Sequence, residues 1–301
     1  MTRSIESGAA ARRRTGPTLW MAAPSLVLFG LFALLPLFGV IALSFTAWDG
    51  LGTPAWTGLS NWSRVLADPA MHNALWLSLV VVVTAWLVQL PISLLLGVFM
   101  AGHQRYRNVL SILYFLPLLF SSAAIAIAFR SLLDPNFGLG PASGIGWLSQ
   151  DWLGDPRLAL GVVVFVIAWS FVPFHSLLFQ AGVRQIPTTL YEAARLDGAN
   201  ARQMFLHITL PQLRHTIVTS STLILVGSLT YFDLVYVLTQ GGPGIATRIL
   251  PLHMYLTGFR NFDMGGASVS AVILVAVGLS ISLVLNRVTR SNTMDSQQEG
   301  L

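Results

Sequence analysis

The sequence predicts an all-α polytopic membrane protein with six transmembrane helices, and three observations carry that expectation. Of 301 residues, 54% are apolar and only 10% charged, and mean hydropathy is +0.69. So few charges leave no polar coat for the two soluble domains that this length would otherwise suggest. Six stretches are apolar enough for a helix across a bilayer core, which takes about 20 residues. The basic residues fall between those stretches and not within them.

The spans run roughly from Trp20 to Phe45, Ala74 to Met100, Val109 to Phe129, Leu158 to Phe179, Ile217 to Leu238 and Ala267 to Leu285. The first is longer than the apolar run of a cleavable signal peptide, about 7 to 15 residues, which predicts a retained anchor. Pro24, Pro36, Pro91, Pro117 and Pro173 lie inside or near the ends of spans and predict kinks, with neighbouring helices satisfying the freed carbonyls. Between the first two spans, Gly58 to Met71 reads as an amphipathic helix at the outer interface, with Ser60 or Asn61 as its cap. The expected organisation is a cytoplasmic N-terminal segment 1–17, a six-helix domain 18–287 and a cytoplasmic tail 288–301.

All 17 basic residues are arginine. Without lysine the chain cannot build a G-x-x-x-x-G-K-[ST] phosphate loop and is not expected to hydrolyse ATP. Schiff-base chemistry is excluded with it, and the absence of cysteine excludes thiol nucleophiles and disulfides. His103, His175, His207 and His215 show no metal-binding spacing, so no metal site is expected, and no serine–histidine or carboxylate pair stands out, so no enzyme activity is expected. An even number of spans puts both termini on one side. With the termini cytoplasmic, 12 arginines lie inside and 5 outside, the latter being Arg64, Arg130, Arg157, Arg248 and Arg260. That bias predicts cytoplasmic termini. Arginines dispersed in this way do not form a nucleic-acid face despite a pI near 10.2.

The cytoplasmic loop between spans four and five, 185–213, reads as two short amphipathic helices. Thr189 with Glu192, and Asn200 with Gln203, have capping-box spacing. Gly198 suits a left-handed cap, and Pro211 disfavours helical geometry at Leu210, which marks the expected end of the second helix. Two uses fit such a loop. It can lie in the lipid headgroups, or its small residues Ala193, Ala194 and Gly198 can admit a partner surface, as when a helix enters a groove.

Glu192-Ala193-Ala194, then Asp197-Gly198, then Ile208-Thr-Leu210-Pro211 resembles the EAA loop of permease subunits in binding-protein-dependent ABC importers. Tyr231 to Pro243 is similar to the end of span five in their carbohydrate branch, which includes maltose and glycerol-3-phosphate permeases. The outer segments Gly58 to Pro69 and Tyr255 to Phe262 also resemble that branch. The likeness extends roughly from Trp20 to Arg287. The likeness does not extend to the extra N-terminal spans and large outer domain of the maltose permease, so their contacts are not carried over.

The resemblance implies a type I ABC importer permease fold in the bacterial inner membrane. It implies a second permease subunit, a cytoplasmic ATPase dimer that binds the ATP, and an extracytoplasmic solute-binding protein. Glu192, Ala193, Ala194, Asp197, Gly198, Leu210 and Pro211 would dock the ATPase. It places the sugar-facing stripe at Gly227, Ser228 and Tyr231 of span five and at Phe171 and Phe174 of span four. Aromatic rings suit the C–H face of a sugar and hydroxyls its rim. Asp233, the only formal charge within a span, is a functional candidate by position, though its position fits first a structural acid near the outer end of span five that pairs with a neighbouring helix or backbone. An ion-coupled secondary transporter, or a permease for a non-sugar solute such as glycerol 3-phosphate, are the alternative functions.

Overall fold

The computed structural model describes residues 19–102 and 105–290. The N-terminal segment 1–17, with Arg3, Arg12, Arg13 and Arg14, lies outside them, as do His103 and the tail beyond Arg290.

Among the described residues, four helices are long and apolar enough to cross a membrane: Ala22–Leu43, Pro69–Met100, Ala159–Arg184 and Met264–Leu285. A fifth crossing fits the pair Arg214–Thr230 and Phe232–Thr239, bent by 49°. The third expected span does not form one helix, so the count of six is not confirmed. It divides into Arg105–Tyr114, a tight turn Leu116–Leu119 and Ser122–Leu132. Pro117 has no N–H to extend the first piece. Phe120 and Ser121 then adopt extended geometry, and Ser121 Oγ starts the next helix by accepting from the Ala124 N–H at 3.2 Å.

The prolines are accommodated in three ways. Pro91 and Pro173 sit inside helices that continue past them. Pro36 follows a widened turn, Gly30–Leu34, that makes room for its ring. Pro117 alone marks a break. The bend in span five contains no proline; there Ser228 Oγ bonds the Ile224 carbonyl at 2.6 Å and Thr230 Oγ1 the Gly227 carbonyl at 2.7 Å. Hydroxyls that take up helix carbonyls favour such local bending, and Tyr231 leaves the helical region at ψ 52°.

Span two packs most extensively against span four. Small residues permit the close approach: a Cβ on Gly97 would lie 2.5 Å from Phe179 Cβ and 2.8 Å from the Ser176 carbonyl. Ser93 Oγ donates to the Val172 carbonyl at 3.2 Å and Gln180 Nε2 to the Met100 carbonyl at 2.9 Å, pinning the two helices at one end. The main core joins Val81, Ile125, Val163, Ile167, Val235 and Leu238. The first span leaves its apolar side chains exposed, from Leu26 to Phe38, a surface suited to lipid or a partner helix.

At the opposite end, the segment after span one contains a two-residue antiparallel pairing, Thr46 with Trp56 and Ala47 with Ala55. The expected helix after it spans Ser60–Ala67, but neither Ser60 nor Asn61 caps it. Asn61 is buried and donates instead to the Ser44 and Thr46 carbonyls at 3.2 and 2.8 Å, tying the helix to the end of span one. Gly241 to Gly244 forms the expected turn, with positive φ at Gly241 and Gly244, closed by a 2.7 Å bond between the Thr239 and Thr247 hydroxyls.

Candidate functional site

The loop 185–213 contains the two expected helices, with one start and one stop displaced. The first runs Thr188–Leu196 with Pro187 at its N-cap, so Thr189 lies inside the helix and its capping box with Glu192 does not form. Glu192 is therefore an exposed surface carboxylate and not a cap. No residue of this helix is buried, and Leu196 is 89% exposed.

Gly198 ends the helix as expected, at φ +79°. The Ala199 N–H reaches the Ala194 carbonyl at 2.9 Å and the Gly198 N–H the Arg195 carbonyl at 3.1 Å. This is the paired bonding of a Schellman cap, which glycine adopts without Cβ strain. Asn200 then opens the second helix with a complete capping box: its N–H donates to Gln203 Oε1 at 2.8 Å and its Oδ1 accepts from the Gln203 N–H at 2.9 Å.

Pro211 does not stop that helix. The backbone widens over Phe205–Thr209, so that the Leu210 N–H bonds the Phe205 carbonyl, and continues helically through Leu210–Gln212. A widened turn removes the clash between a proline ring and the carbonyl four residues earlier. Leu213 is buried against Gly182, whose missing Cβ leaves room for it, and so fixes the loop to span four. The Tyr191 and Thr209 hydroxyls, 2.9 Å apart, join the two helices. Between them lies a cleft of about 310 Å³ lined by Ala194, Asp197, Gly198, Gln203, Met204 and His207, among others. Of the expected docking residues, Ala194, Asp197 and Gly198 border it, Glu192, Ala193 and Pro211 are exposed nearby, and Leu210 is half-buried.

Within the spans, Phe171 and Tyr231 stack with ring centroids 5.0 Å apart. Ser228 lies beside this pair along span five but is buried, its hydroxyl on the Ile224 carbonyl. Gly227 is half-buried at the last position before the tightened turn. Phe174 stands apart from the stack, exposed and edge-on to His175 at 5.1 Å. Asp233 is exposed in the first turn of Phe232–Thr239, where the helix N-terminus favours a negative charge. Buried His175 contacts Ser220 Oγ through Nδ1 at 3.0 Å, which makes it a tie between spans four and five.

Two features were missed by the reading of the sequence. Arg64 and Asp263 form an ion pair at 2.7 Å between the Ser60–Ala67 helix and the start of the last span. Gln89, a lone amide in an apolar run, is fully buried in span two; its only signal in the sequence is that amide among apolar neighbours.

A model of the family described as binding-protein-dependent transport system inner membrane component matches residues 89–293. The chain is 33% identical over 268 residues to YurN, a probable ABC transporter permease protein of Bacillus subtilis, covering 87% of this chain and 91% of the relative. It is 30% identical over 277 residues to AraP, the arabinooligosaccharides transport system permease protein of the same organism, covering 90% and 88%. A solved chain of a bacterial ABC transporter involved in import of the acidic polysaccharide alginate matches with TM-score 0.81 at 23% identity, covering 92% of this chain and 96% of that one. That likeness concerns the fold.

Proposed function

From the premise that the chain belongs to the binding-protein-dependent transport system inner membrane component family, and so is a permease subunit of an ABC importer, we propose that its solute is a di- or oligosaccharide. The solute arrives on an extracytoplasmic binding protein, and a separate ATPase dimer supplies the energy. A second permease completes the pathway, and both termini face the cytoplasm. The saccharide reading is supported by the arabinooligosaccharide relative and by the Phe171–Tyr231 stack, whose rings suit a sugar's C–H face.

The observation that carries the docking role is the exposed Thr188–Leu196 helix, held by its Schellman cap beside an open cleft. Glu192 faces the basic groups of the ATPase, and closure on ATP rocks the permeases through this loop. An absent phosphate loop fits a subunit that borrows its ATPase.

Because the chain has no cysteine, one introduced thiol is unique. Glu192→Cys or Ala193→Cys should cross-link to cysteines placed along the ATPase cleft, whereas Asp49→Cys in the outer segment should not. Cross-links absent at both loop positions contradict the docking role.

A further inference from the structure

We propose that Gln89 is a solute-binding residue whose side-chain amide pairs with hydroxyl groups of the transported saccharide when the bend at Ser228–Tyr231 moves. The assignment rests on the saccharide reading above and adds to it a residue and a motion.

Gln89 lies near the middle of Pro69–Met100 and is 0% exposed, yet neither Nε2 nor Oε1 has a hydrogen-bond partner among the described residues. An amide buried in this way is strongly disfavoured, most of all where no bulk water is at hand. Elsewhere on the same helix, buried polar groups are satisfied: Ser93 donates to the Val172 carbonyl, and Ser78 Oγ accepts from the Leu250 N–H at 2.7 Å. The unpaired groups gather on this part of the helix, since Trp86 Nε1, three residues earlier and on the same face, also lacks a partner. Leucine or methionine at position 89 would fill the volume without the penalty, so packing gives no reason for glutamine.

What lies opposite supplies one. Span two packs against the Ser228–Thr230 turn, where span five is bent. The Tyr231 phenol is the neighbouring hydroxyl and reaches toward Gln89 without meeting hydrogen-bond geometry. Tyr231 also stacks on Phe171. A shift of Phe232–Thr239 about Tyr231 would therefore uncover an amide, a phenol and an aromatic face together. One amide offers two donors and an acceptor, the complement of adjacent sugar hydroxyls, each of which both donates and accepts.

The test uses the whole importer with its binding protein and ATPase in sealed vesicles, supplied with arabinotriose, maltotriose or diacetylchitobiose. Gln89→Leu and near-isosteric Gln89→Met should insert, pair with the sister permease and melt at or above the wild-type temperature. Saccharide moved per ATP should fall about tenfold, the scale of losing one buried hydrogen-bonding group. Unchanged transport in these variants would overturn the assignment. So would failure of both to assemble, which would make Gln89 a structural group. A wild-type importer that carries none of the three saccharides but imports a solute that is not a saccharide refutes the saccharide reading itself, an outcome distinct from variants that match an active wild type.

Discussion

The Tyr191 hydroxyl lies 2.9 Å from Thr209 Oγ1, so the two helices of the loop 185–213 are joined across 18 residues of sequence. Thr209 is buried and Tyr191 half-buried, which screens the bond from water. The Schellman cap at Gly198 fixes the angle between the helices, and this bond fixes their spacing. These contacts link the Thr188–Leu196 helix to the buried end of the second helix and, through Leu213, to span four.

Tyr191→Phe keeps the ring and removes the bond, at a cost of about 1 kcal/mol. Insertion should be normal, while ATP hydrolysed per solute moved should rise. Thr209→Val should do the same, and the double variant should be little worse than either alone, as expected of one shared interaction. Additive losses would show that the two hydroxyls act independently.

Gly198 has a left-handed backbone and no heavy atom within 4 Å of a Cβ built on it. The penalty of Gly198→Ala is therefore a backbone one, about 1–2 kcal/mol. Asparagine tolerates this conformation better. Uptake should fall in the order Gly198, Gly198→Asn, Gly198→Ala, with equal amounts of protein in the membrane. Loss of the protein from the membrane would instead point to a folding role.

The Arg64–Asp263 pair is part-exposed, with side chains 57% and 27% accessible. Its ionic contribution should stay below about 1 kcal/mol and shrink with salt. Asp263 also accepts from the Gly266 N–H at 2.9 Å at the start of the last span. Asp263→Asn should thus lower the melting temperature of the solubilised protein less than Asp263→Ala, which loses the cap as well. Equal losses would assign the whole effect to charge.

Burial holds the His253 imidazole below its usual range; nearby Arg248 acts in the same direction, and Asp68 opposes it. The unfolded chain therefore takes up a proton at higher pH than the folded one. Stability from this group is complete above the ordinary histidine value of about 6.5 and declines as pH falls from there toward the lower folded value. Melting temperature should drop between pH 7.5 and 5.5, and His253→Gln should reduce that drop. An unchanged pH slope in the variant would remove His253 as its cause.

Much of this architecture was legible because its causes are local. Apolar runs mark the long spans, and Gly198 and the Asn200–Gln203 pair announce their own backbone roles. Readings failed where a residue had several options. Thr189 had capping spacing, but Pro187 started the helix earlier. Pro211 looked like a stop, but a widened turn absorbed it. The broken third span and the bend at Tyr231 depend on serine and threonine hydroxyls that bond the nearby backbone and on one proline that cannot donate to it, which hydropathy does not encode. The Phe171–Tyr231 stack and the burial of Gln89 arise from contacts between spans far apart in sequence.

The central claim, a solute pathway driven by an ATPase docked at Glu192, is tested most directly by saccharide uptake into vesicles containing the permease pair, with and without the ATPase and trapped ATP. Uptake should require the ATPase, the nucleotide and the binding protein together. It should be abolished by Glu192→Lys while the variant still inserts and pairs with its sister permease. ATP-independent uptake, or coupled transport by Glu192→Lys at the wild-type rate, would contradict the account.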